Sequence, residues 1–376
     1  MDISVLVSYL FFEFQNKILM NYIMYVLHKI IEGKLCNTYI VNFKTIIYNV
    51  RMKISEIYEK GTDTMKISIL MGIALTCRES RALRDPVEAI TMLRDAGYDT
   101  MDFTFGEEKN PDFILRADDW QQKVDRVADA AARLGITFAQ SHLPYPKGQD
   151  MTDDPAFKKP GYREYFDECM RRAYIASGML GVKYATAHPL SSPADFADMD
   201  RQLRYNREYY DRFVELGIEH GVGTAFENMR PNCPGWKHAY RYAQNIDDVI
   251  TLVDSYNDSM VGICWDTGHG NASMQGQRQA INRIGKRLRN LHINDNEYGM
   301  RDEHLLPYMG TIDWDDFVEG LVDVDYQGVL NYEVGKFAKT APAALQPALF
   351  ETAYGNGQVL LGMYEDAKQR RVKEVQ

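Results

Sequence analysis

Of the eight histidines in this 376-residue chain, five (His142, His188, His269, His292 and His304) fall at or just beyond the ends of short apolar runs. Three carboxylates do the same: Glu227 after Ala225-Phe226, Asp266 after Cys264-Trp265, and Glu333 after Asn331-Tyr332. Singly, each has a plain structural reading. A histidine after a strand caps it or joins a polar core network. A strand-end Glu pairs with an Arg, and Asp266-Thr267-Gly268 makes a turn that caps the next helix. Jointly they read differently. Apolar strands ending in several acids would bury uncompensated charge, at a cost of several kcal/mol for each. A divalent cation supplies the missing counter-charge. Glu227, Asp266, His292 and Glu333 make an oxygen-rich ligand set of the kind Mn2+ takes, with Mg2+ and Co2+ as alternatives and Zn2+ if more histidines join.

These residues need a scaffold that gathers strand ends. From Met65 onward short apolar runs alternate with amphipathic ones, the rhythm of repeated βα units. Strands are predicted over 66–73, 98–105, 137–143, 184–188, 223–228, 261–266, 289–294 and 329–333. Helices are predicted from Asp85-Pro86 and over 120–134, 162–180, 200–220, 246–256, 278–288, 314–322 and 342–363. Asp85 caps and Pro86 opens the first, while Gly135 closes the second. Eight of each over about 300 residues fit an α/β fold, a (β/α)8 TIM barrel, whose chemistry sits at the carboxyl ends of the strands. An open doubly wound sheet is disfavoured because no GxGxxG turn follows the first strand. The irregular stretch 144–161 reads as a lid or as a surface excursion.

Residues 1–64 differ in composition, being crowded with Ile, Tyr, Asn, Lys and Phe, and are expected to be a poorly packed N-terminal extension or a mis-assigned start. The catalytic domain is then 65–376. The apolar stretches 3–12 and 18–28 each fall short of the roughly 20 residues of a membrane helix, so no membrane association is expected. A basic n-region and a small-residue cleavage site are both missing. The five cysteines (Cys36, Cys77, Cys169, Cys233 and Cys264) are scattered, as reduced thiols in a cytoplasmic protein would be. The chain carries −10 overall; residues 1–64 hold seven Lys/Arg and six Asp/Glu, so the rest carries −10 − 1 = −11. Such a surface repels phosphate backbones, and no nucleic-acid partner is expected.

Seven short markers stand in order on successive strands: His142-Leu143-Pro144-Tyr145, His188-Pro189, Glu227-Asn228, Asp266-Thr267-Gly268-His269, His292-Ile293-Asn294-Asp295, Asp302-Glu303-His304 and Glu333. Over Met65 to about Met363 the chain thereby resembles the xylose isomerase-like TIM-barrel superfamily, in particular its sugar-phosphate isomerase/epimerase branch. The resemblance implies a metal held by Glu227, Asp266, His292 and Glu333, with Glu227 and Glu333 also acting as acid and base on opposite faces of a ketose. His188 and His269 match positions near substrate hydroxyls, and His142, Asp302 and His304 complete the expected substrate surroundings. In the related apurinic-site endonucleases the extra ligands of a trinuclear zinc cluster match His142, His188, His269, Asp302 and His304, which are all present here. One departure is Pro307-Tyr308-Met309-Gly310, where the family commonly has Pro-Gly-x-Gly. It predicts a different loop path or an aromatic wall over the site.

The implied activity is a divalent-metal-dependent sugar or polyol isomerase or epimerase. Chelation of a ketose carbonyl and its neighbouring hydroxyl acidifies the adjacent C–H and stabilises an enediolate, between two carboxylates that remove and return the proton. An inosose dehydratase-type lyase uses the same enolate logic. A phosphodiesterase resembling the apurinic-site endonucleases and a non-catalytic sugar-binding barrel are the other readings. Without a Gly-rich phosphate cradle after strands 7 or 8, a free sugar or polyol is the expected substrate. Assembly is left open between a monomer and a homo-oligomer.

Overall fold

The computed structural model describes residues 65–80, 82–147, 151, 154–192, 198–231, 240–297 and 302–375; the expectation for residues 1–64 lies outside them. Eight strands run in chain order: β1 (Ile67–Ile69), β2 (Thr100–Thr104), β3 (Thr137–His142), β4 (Tyr184–Ala187), β5 (Gly223–Glu227), β6 (Val261–Asp266), β7 (Leu288–His292) and β8 (Leu330–Tyr332). From β2 to β7 each pairs in parallel with the next, and β1 pairs in parallel with β8. Parallel bridges at Leu70–Asp102 and Ile293–Tyr332 join the two arcs. Leu70 N–H donates to Tyr332 O and Met71 N–H to Asp102 O, both at 2.9 Å. The barrel is therefore closed, as the alternation of elements predicts.

The outer helices are α1 (Pro86–Asp95), α2 (Trp120–Leu134), α3 (Tyr162–Met179), α4 (Met199–Glu219), α5 (Ile246–Asp254), α6 (Gln277–Ile284), α7 (Trp314–Asp323) and α8 (Gln346–Val375). The predicted ends of α1 and α2 hold: Asp85 accepts from Val87 N–H at 2.8 Å, and Gly135 sits at φ +66°. Elsewhere the boundaries move. The predicted first strand stops early, because Gly72–Leu75 turns into a short helix. Helix α6 ends at Ile284, where Gly285 at positive φ starts a 3-10 turn leading into β7. Helix α8 runs well past 363, since Tyr364 and Ala367 still face the core. In the irregular stretch after β3, Asp154 is buried. It accepts from Lys147 N–H at 2.8 Å and pairs with Lys109, so the described part of the stretch is anchored; residues 148–150 and 152–153 lie outside the description.

Two kinds of core result from strand alternation. Apolar side chains such as Phe103, Phe138, Phe226 and Trp265 pack between strands and helices. Inside the ring the buried side chains are polar: Ser68, Asp102, Gln140, Thr186, Asn290 and Asn331. They are knitted together by bonds such as Asn290 Nδ2–H to Thr186 Oγ1 at 2.9 Å. Among the described residues no helix is long and apolar enough to cross a membrane.

Candidate metal centre

Glu227, Asp266 and His292 are the last residues of β5, β6 and β7, and Glu333 follows β8 directly. Parallel pairing in this register brings them to one rim. One ligand atom from each of the four lies within 4.8 Å of the others. Three are fully buried, and the Glu333 side chain is 13% exposed. That 4.8 Å spacing is one that a single divalent ion could bridge. Two atoms at this point are buried without an aligned hydrogen-bond partner, Glu227 Oε2 and His292 Nδ1. They are 3.3 Å apart, and Glu333 Oε2 is 3.0 Å from the same nitrogen. Buried polar atoms without aligned partners, a carboxylate oxygen among them, that converge on one point are the setting a cation takes.

Local sequence explains how the ligands are held. Asp266 caps the short helix Thr267–Ala272, accepting from His269 N–H at 2.6 Å. Its other oxygen accepts from Asn294 Nδ2–H at 2.9 Å. Asn228 clamps its backbone, accepting from Asp266 N–H at 2.7 Å and donating to Asp266 O at 3.0 Å. Asp-Thr-Gly is thus both cap and site, and a Cβ on Gly268 would collide with Asn294 Oδ1.

The five other predicted site residues gather around this group. His142, His188 and His269 approach Glu227 at 3.7, 3.1 and 3.2 Å. His304 Nε2 lies 2.8 Å and His269 Nε2 3.6 Å from Asp302 Oδ1. Ring tautomers follow from backbone acceptors: His142 Nδ1–H donates to Leu143 O at 2.9 Å, leaving Nε2 toward Glu227. Likewise His304 Nδ1–H donates to Glu333 O at 2.6 Å.

Burial pushes Glu227 up, but the His292 and His188 imidazoles outweigh it and hold the carboxyl well below its ordinary range. Burial likewise opposes ionisation of Glu333, yet His292 and His304 bring it down to about 2. Asp266 goes the other way, lifted to about 6 by burial, with Glu227 and Glu333 adding to the rise. Burial brings His188 down to about 4 despite Glu227. In His304 burial is outweighed by Asp302, which raises it to about 10.

Some residues at the site escaped the sequence reading. Tyr145 packs its ring 4.4 Å from that of His188 and 5.0 Å from that of His142, forming an aromatic wall on the β3 side. Tyr308, for whose altered loop either a different path or an aromatic wall over the site was expected, contacts Trp314 and Met363 and is 52% exposed, so its ring makes no such wall. Arg230 reaches Asp302 Oδ2 at 3.4 Å. Asp102 lies beneath His292, with 3.5 Å between Asp102 Oδ2 and His292 Nε2. The signal for Asp102 was present: an acid in the middle of the predicted strand, flanked by Met101 and Phe103.

Residues 90–349 match the family described as Xylose isomerase-like TIM barrel. The chain belongs to that family. The chain is 38% identical over 117 residues to Uncharacterized protein y4fM of Sinorhizobium fredii, a match covering 31% of this chain and 34% of that relative. The match thus spans about a third of that relative's length. It is 25% identical over 260 residues to L-ribulose 3-epimerase of Methylomonas sp., covering 65% of this chain and 77% of the epimerase. The zinc-bound crystal structure of the IolI protein superposes with a TM-score of 0.59 at 17% identity, over 81% of this chain and 99% of that one, a likeness of fold.

Proposed function

We propose that this family member is a divalent-metal-dependent isomerase or epimerase of a sugar or polyol, with the ion held by Glu227, Asp266, His292 and Glu333. The observation that carries this reading is the convergence of four ligand atoms, two of them buried and unsatisfied, at the carboxyl rim of the barrel. The relationship to L-ribulose 3-epimerase supports a ketose-like substrate. A bound Mn2+, or Mg2+, Co2+ or Zn2+ in its place, would supply a Lewis acid for a carbonyl and its neighbouring hydroxyl, favouring an enediolate.

The side chains do the rest. Glu227 and Glu333 are both held ionised, so either can take the proton from the carbon bearing that hydroxyl, and the other can return one. His188 is held neutral and can both donate to and accept from a hydroxyl; His269 is bound through Asn228 O and Asp302, which fixes its ring. Tyr145 gives an apolar face beside these polar groups, the combination that binds a sugar ring.

A second reading has one observation in its favour: His142, His188 and Glu227 form a further group at metal-ligand spacing, as a multi-metal phosphodiesterase would need. The −11 charge of residues 65–376 weighs against a DNA substrate. Metal analysis of the purified protein, followed by a panel of ketoses and inososes with and without chelator, tests both. Chelator-sensitive interconversion of a sugar supports the first reading. Cleavage of a duplex with an abasic site, without sugar turnover, overturns it.

A further inference from the structure

Below the rim, the barrel interior holds a carboxylate that no proposed step uses. Asp102 on β2 is fully buried, yet no Lys or Arg pairs with it among the described residues. Its Oδ2 accepts from Gln140 Nε2–H at 2.8 Å and Asn331 Nδ2–H at 3.1 Å. Asn331 is itself oriented by Ser68 Oγ–H, which donates to Asn331 Oδ1 at 2.8 Å. Every neighbour thus presents a donor, the setting an anionic acceptor takes. Asp102 Oδ1 has no partner.

The backbone is adjusted to achieve this. The β2–β3 register shifts between Met101 and Asp102, so that Met101 faces Phe138 but Asp102 faces Gln140. The extra residue, Ala139, lets Phe138 pack on Phe103 at 5.3 Å while Gln140 reaches Asp102. Bulges of this kind re-aim side chains and cluster beside active sites.

Directly above is His292. Its Nδ1 faces Glu333 Oε2 and Glu227 Oε2, and its Nε2 is buried, without an aligned partner, 3.5 Å from Asp102 Oδ2. Such hydrogen bonds are often long before a site is loaded and tighten afterwards. The Cys264 thiol also lies near His292 and Glu227, but sulfur is a weak acceptor beside a carboxylate.

We infer that Asp102 is a positioning residue: it accepts the Nε2 proton of His292, fixing the tautomer that leaves the Nδ1 lone pair for the metal. The inference rests on the assignment of His292 as a ligand in the function proposed above. A carboxylate behind a ligating imidazole fixes its orientation and raises its basicity, and losing it costs roughly 10- to 100-fold in metal affinity. Asp102→Asn keeps the shape and removes the charge. Gln140, Asn331 and His292 Nε2 all meet the same atom, Oδ2, so the oxygen of Asn, held by the two amide donors, still faces Nε2 but as a neutral and weaker acceptor that raises the basicity of the ring less.

Two measurements on the full chain test this. In the wild type loaded with Zn2+, 15N spectra of the histidines should show His292 protonated on Nε2. For Asp102→Asn with unchanged far-UV circular dichroism, Mn2+ titration should give an affinity roughly 10- to 100-fold weaker. A His292 proton on Nδ1 in the wild type would overturn the inference, even if the variant fails to fold. So would a folded variant that binds Mn2+ within threefold of the wild type. A wild-type chain that takes up no ion would instead sink the metal assignment itself, and this inference with it.

Discussion

Glu333→Gln is the cleaner of two tests of the proposed proton relay. Glu227 lies among four imidazoles at 3.1 to 3.7 Å, so a Gln there would leave all four without their shared anion. The Glu333 carboxylate meets one imidazole, His292, at 3.0 Å and is partly exposed, while His304 bonds the backbone carbonyl, which the substitution leaves in place. Gln at 333 therefore keeps size and polarity and removes one charge. The loss has two parts. General-base action contributes roughly 10² to 10⁴ in rate, equivalent to about 3 to 5 kcal/mol of barrier. A neutral ligand also weakens the hold on the ion, which is why kcat is to be measured at saturating Mn2+. Under those conditions we expect kcat to fall by roughly 10² to 10⁴. A relay with one arm left has a second signature. In D2O the variant should still exchange the substrate hydrogen that faces Glu227, incorporating deuterium without forming the epimer. The double Gln variant should be no slower than the worse single one, because groups that act as one unit are not additive. Near-normal kcat in both single variants at saturating Mn2+ would refute the relay.

Other expectations follow from the charges and packing. Mn2+ at a hundred times its Kd should stabilise the protein by about 2.7 kcal/mol, raising the thermal midpoint on the order of 5 °C, and chelator should reverse the shift. Because His304 is raised from 6.5 to about 10, its contribution in the metal-free chain is full below pH 6.5 and fades as the pH climbs toward 10. Chelator-treated protein should therefore lose thermal midpoint across that window; a midpoint rising through it would contradict the Asp302–His304 pairing. Glu108 is 1% exposed, and burial lifts it to about 7. Its charged form destabilises the fold above that pH, so Glu108→Gln should gain up to about 3 kcal/mol in urea unfolding at pH 8 and little at pH 4.5, and an equal gain at both would refute the assignment. A chain starting at Met65 should fold and keep its activity, which circular dichroism and the ketose assay can check.

The fold was legible because its signals are local. Alternating βα rhythm, the Asp85-Pro86 start and the Gly135 stop each depend on a few neighbouring residues. The errors came where tertiary packing overrides the local signal. The end of α8 is a different case: residues 364–375 are rich in helix formers and hold no Gly or Pro, so a stop near 363 under-reads the local signal, and the burial of Tyr364 and Ala367 fits the longer helix. The loop departure at Tyr308 was visible, but where its ring would pack was not. That depended on Trp314 and Met363, one of them more than fifty residues away.

The candidate site was legible for a different reason. A barrel places strand ends together, so an acid at the end of an apolar strand already implies neighbours and a need for positive charge. The same cost applies deeper in the strand. Asp102 sits between Met101 and Phe103, which face the helices, and alternation alone sends it into the barrel. What the sequence could not supply was its depth relative to His292, because that depends on the register shift at Met101/Asp102 and on a bulge at Ala139 with no Gly or Pro to mark it. Had the burial cost been applied along the whole strand, five acids and imidazoles would have been grouped instead of four: Asp102 behind His292, and His292 between it and the acids at the rim. On the inference above, the function proposed for the rim depends on a residue one layer beneath it, and this is why Asp102→Asn probes the metal site without replacing any of its ligands.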